Sequence, residues 1–148
     1  MAGFVEMNHV YKRYQMGEVT ITALSDVNFS IQQGEFVVIV GPSGAGKTTL
    51  LNLLSTLDKP TKGEILLEGK DITKLSNKQL SLIRRDKIGF IFQEYNLLDN
   101  MTLQDNIALP LSLNGAKSGE IIRKVQQRAC AFGLESHLRK YPYQLSGG

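Results

Sequence analysis

The chain has 148 residues, a hydrophobic fraction of 42% and a formal net charge of +3. This length supports one hydrophobic core, and the composition is that of a folded globular protein. The small charge excess gives no reason to expect nucleic acid as a partner, the single cysteine excludes an internal disulfide, and no apolar stretch approaches membrane-spanning length. With no secretory pattern at its start, the chain is expected to be cytoplasmic.

The first predicted elements are strands. Val19, Ile21 and Ala23 alternate with threonines, and a similar alternation runs over residues 27–32. This pattern predicts half-buried strands, which are usually antiparallel. The following run, Phe36–Val40, is apolar throughout and predicts a parallel strand that is buried on both faces.

A glycine-rich loop follows this strand and precedes a stretch that can form a helix. It matches G-x-x-x-x-G-K-[ST] with Gly41, Pro42, Ser43, Gly44, Ala45, Gly46, Lys47 and Thr48. The glycines let the main chain approach phosphate oxygens, the helix N-terminus supplies N–H groups, and Lys47 supplies a mobile charge. The Thr48 hydroxyl is placed to ligate Mg²⁺. The flanking elements disfavour an accidental match in a glycine-rich turn, so the loop predicts binding of a nucleoside triphosphate.

Two further elements are predicted before residue 100. Ser76, with Gln79 three residues later, has the form of a capping box and predicts a helix from Ser76 to about Arg85. Ile88–Phe92 is a short apolar run that predicts a second buried strand.

The rest of the chain is predicted to be mostly helical. Thr102 and Asp105 have the form of a helix start, and Pro110 is expected to end or kink that helix. Apolar residues then recur at helical spacing from Ile121 onward, and Gly133 is a suitable C-terminal cap. Cys130 lies within this segment, and we expect its thiol to be buried.

Two later features add to the glycine-rich loop. Gln93 directly follows the second apolar run, where its side chain could meet a metal ion or an attacking water, and Leu145-Ser146-Gly147-Gly148 closes the chain. A serine and two glycines suit a helix N-terminus that offers N–H groups to a phosphate. Taken singly, a solvated glutamine and a flexible end are the simpler explanations.

In this order and spacing, the motifs resemble those of the ATP-binding subunit of an ABC transporter over essentially the whole chain. Gly41 to Thr48 resembles the Walker A motif, Gln93 the Q-loop glutamine, and Leu145 to Gly148 the start of the LSGGQ signature. Tyr14 is similar to the A-loop aromatic residue that stacks on adenine in this family. A strand-packing role for Tyr14, with Tyr11 as the substitute, stays open.

The resemblance narrows at residues 89–98 and 106–111, which are similar to the branch of macrolide-efflux, lipoprotein-release and antimicrobial-peptide exporters. It implies a subunit that couples ATP binding and hydrolysis to export of a substrate. Two alternatives stay open. One is an ABC-type module that regulates a cell-wall enzyme or a sensor complex, and the other is a nucleotide-binding fragment that does not hydrolyse ATP.

The resemblance implies an α/β fold, that of a P-loop NTPase of the ABC type. An antiparallel β subdomain and the P-loop core would occupy about residues 1–100, and a helical subdomain about residues 101–148. The core sheet would be incomplete, since the family places further strands after the signature.

The resemblance also implies a site shared between two subunits, a homodimer or a heterodimer, with ATP and Mg²⁺ as cofactors. Thr48 and Gln93 would hold the metal. ATP would contact Tyr14, Gly41 to Thr48, Thr49 and Gln93 of one subunit, and Ser146, Gly147 and Gly148 of the other. Transmembrane permease subunits would hold the cytoplasmic dimer at the inner face of the membrane and select the substrate.

The family pattern continues beyond the motifs that are present. Walker B, the adjoining catalytic glutamate, the D-loop and the switch histidine follow the signature in the family, and none of them lies before Gly148. We therefore expect the chain to be part of a longer ATPase. The intact protein would hydrolyse ATP, whereas Lys47 and Gln93 alone do not form a complete catalytic set.

Overall fold

The structure is a computed structural model that describes residues 3–145. The chain divides after Gly89 into two compact units. The first unit contains strands β1 (Val5–Met16), β2 (Val19–Ile31), β3 (Lys62–Leu67) and β4 (Lys70–Asp71) and helices α1 (Lys47–Leu54) and α2 (Asn77–Asp86). The second contains helices α3 (Leu103–Leu113) and α4 (Ser118–Ala131) and two 3₁₀ turns, Glu135–His137 and Pro142–Gln144.

The strands of the first unit form one antiparallel sheet in the order β2-β1-β3-β4. A hairpin at Gly17, where φ is +60°, joins β1 to β2. The two alternating stretches predicted in this region are parts of the single long strand β2, so their strand character is confirmed, as is antiparallel pairing, which they make with β1. The half-burial predicted for the first stretch is wrong, because Val19 and Ile21 are exposed.

The hydrophobic core of this unit lies where the sheet meets α1 and α2. Met7 and Val10 of β1 are fully buried, and Leu53 of α1 and Leu80 of α2 belong to the same cluster. The other buried members of this cluster are Leu24, Ile65 and Ile72. Helix α1 is therefore fixed to the sheet mainly through Leu53, with Leu50 and Leu54 partly buried against the same cluster.

Both predicted helix starts are confirmed. At α2, the Ser76 hydroxyl accepts a hydrogen bond from the Gln79 amide, and the Gln79 side chain accepts one from the Ser76 amide. At α3, Thr102 and Asp105 make the same reciprocal pair. Each box satisfies amide groups that a helix start would otherwise leave without acceptors.

Of the two effects expected of Pro110, an end of the helix is not observed, because α3 continues to Leu113. A proline removes one ladder hydrogen bond, but the turns on either side keep theirs. The Pro110 carbonyl itself accepts a hydrogen bond from the Asn114 amide at 3.2 Å. One missing bond near the end of an 11-residue helix is thus tolerated.

The two predicted buried strands, Phe36–Val40 and Ile88–Phe92, are absent from the strands of residues 3–145. Their side chains are largely exposed, reaching 92% at Phe36 and 97% at Ile91. A parallel strand needs hydrogen-bonding neighbours in its sheet. No described strand pairs with either run, so an apolar sequence alone does not make them strands.

Arg84 holds the segment that follows α1. Its guanidinium donates to the Thr56 carbonyl at 2.8 Å and to the Thr56 hydroxyl at 3.1 Å. Thr56 is buried and has φ of +60°, which is unusual for a β-branched residue. The arginine thus stabilises a strained turn and places a cation at the negative end of the helix dipole.

The prediction that Cys130 is buried is wrong, since α4 presents it to solvent. Helical spacing puts Val125 and Ala129 on the packed face, and Cys130 lies next to that face. A hydrogen bond to Glu135 and the charge of that carboxylate raise the pKa of the thiol.

The described residues contain no helix that is both long and apolar enough to cross a membrane. Within the same residues, no group of three or more His, Cys, Asp or Glu side chains is arranged to hold a metal ion.

Candidate functional site

The glycine-rich loop leads directly into α1, which begins at Lys47. Gly46 is the N-cap residue, with φ of 86° and ψ of 8°. As a glycine, it has no side chain that could accept hydrogen bonds from the first amide groups of the helix. Loop residues Pro42 and Ala45 are tied by a hydrogen bond from the Ala45 amide to the Pro42 carbonyl at 3.3 Å. The first amide groups of α1 therefore point into a concave loop without a side-chain cap, which suits an anion.

Lys47 folds back over this loop. Its ammonium group donates to the carbonyl oxygens of Gly41 and Pro42, both at 2.7 Å. The side chain thus joins the last part of the loop to its first part. The charge is held at the mouth of the loop, where phosphate oxygens could replace the two carbonyl acceptors.

The close approach of Gly46 to β2 explains why a glycine is needed there. A Cβ atom on Gly46 would lie 2.5 Å from the Ala23 carbonyl oxygen and 3.0 Å from Leu24. Because Ala23 belongs to a strand that is paired with β1, that oxygen cannot easily move. The contact fixes the position of the loop against the sheet.

The substitution Gly46→Ala is expected to destabilise the chain by about 1–3 kcal/mol, through the positive φ and the clash with Ala23. Gly44→Ala is the matched control, because Gly44 also has a positive φ, of +80°, but open space around its Cβ position. Urea unfolding of both variants measures the difference. Equal losses of stability would show that the contact with Ala23 has no energetic importance.

The predicted Mg²⁺ ligand in this loop is the hydroxyl of Thr48, which is exposed in the first turn of α1. Thr49 follows it and is half-buried. Mg²⁺ commonly takes one or two protein oxygens and completes its shell with phosphate oxygens and waters. The absence of an acidic cluster from the described residues is therefore compatible with a magnesium ion that arrives with a nucleotide.

Tyr14 lies on β1 opposite Ile21 of β2. Ile21 is two residues from Ala23, which contacts the phosphate loop, so the tyrosine and the loop lie at the same part of the sheet. The Tyr14 hydroxyl donates to the Asp58 carboxylate at 2.9 Å. The predicted substitute, Tyr11, instead has the Lys62 ammonium 5.7 Å from its ring centroid.

Asp58 and Lys12 are two residues of this region that sequence reasoning missed. The Lys12 ammonium lies 2.6 Å from the Asp58 carboxylate and also donates to the Lys59 carbonyl at 2.8 Å. Burial raises the pKa of Asp58, but hydrogen bonds from Lys12, the Lys59 amide and Tyr14 outweigh that effect and leave the pKa below its ordinary value. The carboxylate is therefore ionised at neutral pH.

The sequence contained a signal for one of these two residues. Lys12 and Tyr14 are two positions apart on a strand, and the period of two places them on the same face. Asp58 is 44 residues from Tyr14, and no local pattern links the two.

A further predicted site residue, Gln93, belongs to the second unit. Gln93 is exposed in a bend that follows the second apolar run. The predicted phosphate-binding residues of the signature, Ser146, Gly147 and Gly148, lie outside the described residues. The structure therefore describes the predicted phosphate-loop residues and Tyr14 within one compact unit, and Gln93 in the other.

A protein-family model matches most of the chain. Residues 24–148 match the family model described as "ABC transporter". The matched range begins at Leu24 in β2 and includes the glycine-rich loop, Gln93 and the final glycines.

The sequence similarity to known proteins extends over nearly the whole chain. An uncharacterized ABC transporter ATP-binding protein of Thermotoga maritima is 43% identical over 148 residues, which are 100% of this chain and 63% of the relative. The methionine import ATP-binding protein MetN of Photobacterium profundum is 48% identical over 97% of this chain and 42% of the relative. The chain thus spans less than two thirds of the length of these relatives.

A solved structure shows the same fold. The ATP-binding cassette MJ0796 of Methanocaldococcus jannaschii, a dimer in a post-hydrolysis state with ADP and Pi, superposes with a TM-score of 0.90 at 44% identity. The match covers 97% of this chain and 63% of the MJ0796 chain.

Proposed function

Because this chain belongs to the ABC transporter family of ATP-binding domains, we propose that it forms the nucleotide-binding part of a subunit that uses ATP to drive export through partner membrane subunits. The family comprises ATPases with an α/β P-loop fold. Binding of ATP with Mg²⁺ is the part of this proposal that the residues of the first unit support directly.

The observation that carries the proposal is the arrangement at the start of α1. A left-handed N-cap glycine without a capping side chain, two backbone carbonyls and the Lys47 ammonium meet at one loop. Amide groups and the helix dipole favour an anion there, and the lysine adds a full positive charge. A polyphosphate has the charge and the length to use all of these groups.

Each loop residue has a role in this proposal. The amides from Gly44 to Thr48 donate to phosphate oxygens, Lys47 exchanges its carbonyl acceptors for the β- and γ-phosphates, and the Thr48 hydroxyl orients toward Mg²⁺. The metal, when bound, neutralises charge that develops on the phosphates. Gln93 would position the metal or the attacking water, and Tyr14 would stack on the adenine base.

The proposed partners are a second ATP-binding subunit and transmembrane permease subunits. Ser146, Gly147 and Gly148 would then contact the nucleotide on the opposite subunit. MJ0796, the solved relative, is described as a dimer bound to ADP and Pi. Closure of two subunits around ATP and reopening after hydrolysis would shift the membrane subunits between two conformations, because the nucleotide binds the closed state preferentially.

Export is proposed from the sequence similarity at residues 89–98 and 106–111 to exporters of macrolides, lipoproteins and antimicrobial peptides. One relative is named as a methionine import protein. The direction of transport is therefore tested separately from ATP binding. Hydrolysis is proposed because the chain belongs to a family of ATPases, and Lys47 and Gln93 would take part in it.

Isothermal titration calorimetry of the 148-residue chain with Mg-ATP tests the binding step. Saturable binding that requires Mg²⁺ supports the proposal, and the absence of heat together with the absence of nucleotide-dependent fluorescence changes would contradict it.

Deletion of the gene that encodes this chain tests the transport step. Cells that lack it should become more sensitive to macrolides or antimicrobial peptides, and a copy with Lys47→Ala should fail to restore resistance. A requirement for an external nutrient, with unchanged resistance, would instead indicate import.

A further inference from the structure

Three side chains of the first unit form a connected polar group around Tyr14. The Asp58 carboxylate accepts from the Tyr14 hydroxyl at 2.9 Å through one oxygen and from the Lys12 ammonium at 2.6 Å through the other. The Lys12 ammonium also lies 4.7 Å from the centroid of the Tyr14 ring. The ring is thus held at its hydroxyl end and covered on one face.

Lys12 occupies that position at an energetic cost that Asp58 offsets. The residue is only 9% exposed, and a charge so well removed from water needs an opposite charge and hydrogen bonds. Asp58 supplies the charge, and the Lys59 carbonyl supplies a second acceptor. Removal of the Asp58 charge would therefore disturb both Lys12 and the ring beneath it.

The cation over one face of Tyr14 determines where a planar ligand can stack. A cation is attracted to the negative face of an aromatic ring and draws electron density toward itself. The opposite face is the one that Lys12 does not cover, and it is better suited to an electron-rich purine. Lys12 and the Tyr14 ring thus form a stacked pair, and Asp58 binds both of them.

Asp58 also connects this stack to the phosphate loop. The Asp58 amide donates to the Asn52 carbonyl of α1 at 3.1 Å, and the neighbouring Leu57 amide donates to the same carbonyl at 2.9 Å. Helix α1 begins at the glycine-rich loop, and the segment that follows it contains Asp58, which binds the Tyr14 hydroxyl. Distance and orientation between the phosphate site and the ring are set by one short piece of chain.

We propose that Asp58 is a positioning residue for the nucleotide base. It fixes the Tyr14 ring at a defined place relative to the phosphate loop, and Lys12 closes the face that the base does not use. This inference rests on the proposed function, because it assumes that an adenine nucleotide binds at Gly41 to Thr48.

The test compares a ligand that has a base with one that does not. In the full chain, Asp58→Asn should weaken binding of Mg-ATP about threefold to tenfold, which corresponds to the net contribution of one ordinary hydrogen bond, because the ring is held less firmly but is still present. Binding of inorganic tripolyphosphate, measured by the same calorimetric titration, should not change. A parallel loss for both ligands, or no loss for either, would overturn the proposal.

Two further variants separate positioning from folding. Asp71→Asn is the matched control, because Asp71 also binds a lysine, Lys74 at 2.7 Å, in the same unit, and it should alter neither affinity. Tyr14→Phe keeps the ring but removes the hydroxyl that Asp58 holds. It should reproduce the selective loss of ATP affinity, and combining it with Asp58→Asn should add little further.

Different results would contradict the proposal of ATP binding and the proposal that Asp58 positions the base. If the unchanged chain binds neither ATP nor tripolyphosphate, the proposed function is wrong and the role of Asp58 falls with it. If both ligands bind and Tyr14→Phe and Asp58→Asn leave the ratio of their affinities unchanged, ATP binding stands and the positioning role is wrong.

Discussion

Replacement of Lys47 by alanine is expected to weaken binding of Mg-ATP by about tenfold to 150-fold. Charge-assisted hydrogen bonds contribute roughly 1.5–3 kcal/mol, which corresponds to a change of this size in the dissociation constant. Lys47 is the residue whose ammonium group lies at the mouth of the loop, within 2.7 Å of the Gly41 and Pro42 carbonyls. No other lysine side chain among the described residues is bonded to this loop.

The effect should be separable from a loss of folding. Alanine has the highest helix propensity, and position 47 is the first residue of α1, so the helix should remain. Lys78→Ala is the control, since Lys78 is an exposed lysine in the first turn of α2 and its loss changes the net charge equally. A similar decrease in affinity for both variants would mean that ATP responds to overall charge and that Lys47 has no specific role.

Leu53→Ala is expected to have the largest effect on stability, with a loss of about 2–5 kcal/mol in the free energy of unfolding. Leu53 is 1% exposed and belongs to the core cluster that joins α1 to the sheet. Its truncation removes buried apolar surface and leaves a cavity, because β1 and β3 are paired and cannot collapse freely into the space.

Leu51→Ala is the matched control for this prediction. Leu51 belongs to the same helix but is 45% exposed, so the same truncation should cost much less. Equilibrium unfolding in urea, followed by circular dichroism, measures both changes. If Leu51→Ala is as destabilising as Leu53→Ala, the packing of α1 described above is incorrect.

Features that depend on neighbouring residues could be predicted from the sequence. The capping boxes at Ser76 and Thr102 involve side chains three residues apart, and the glycine-rich motif is defined by eight consecutive residues, Gly41 to Thr48. In each case the interacting atoms are close in the chain, so the sequence contains the whole interaction.

Features that depend on distant residues could not be predicted in the same way. Phe36–Val40 has the composition of a buried strand, but strand formation requires a hydrogen-bonding partner that no described segment provides. Strand β1 was not predicted as a continuous strand. Its pairing with β2 changes register between Met7 and Arg13. Such shifts interrupt the alternation on which strand prediction depends.

In the predicted site, too, features set by neighbouring residues could be predicted and a contact between distant residues could not. The loop residues were identified from their motif, and Tyr14 from its resemblance to a family position. The contact between Tyr14 and Asp58 arises only when β1 and the segment after α1 are brought together. Sequence reasoning could name the ring, but not the carboxylate that holds it.

The state of Phe36–Val40 has a consequence for the loop that follows it. The loop is anchored on its helical side by Gly46 and Leu53, whereas on its other side it continues into a run that belongs to no described sheet. Any ordering of this run on phosphate binding would cost conformational entropy and so reduce the affinity. A neighbouring strand that paired with Phe36–Val40 would restrict it beforehand. Affinity for ATP would then rise through preorganisation alone, without a change in any residue that touches the nucleotide.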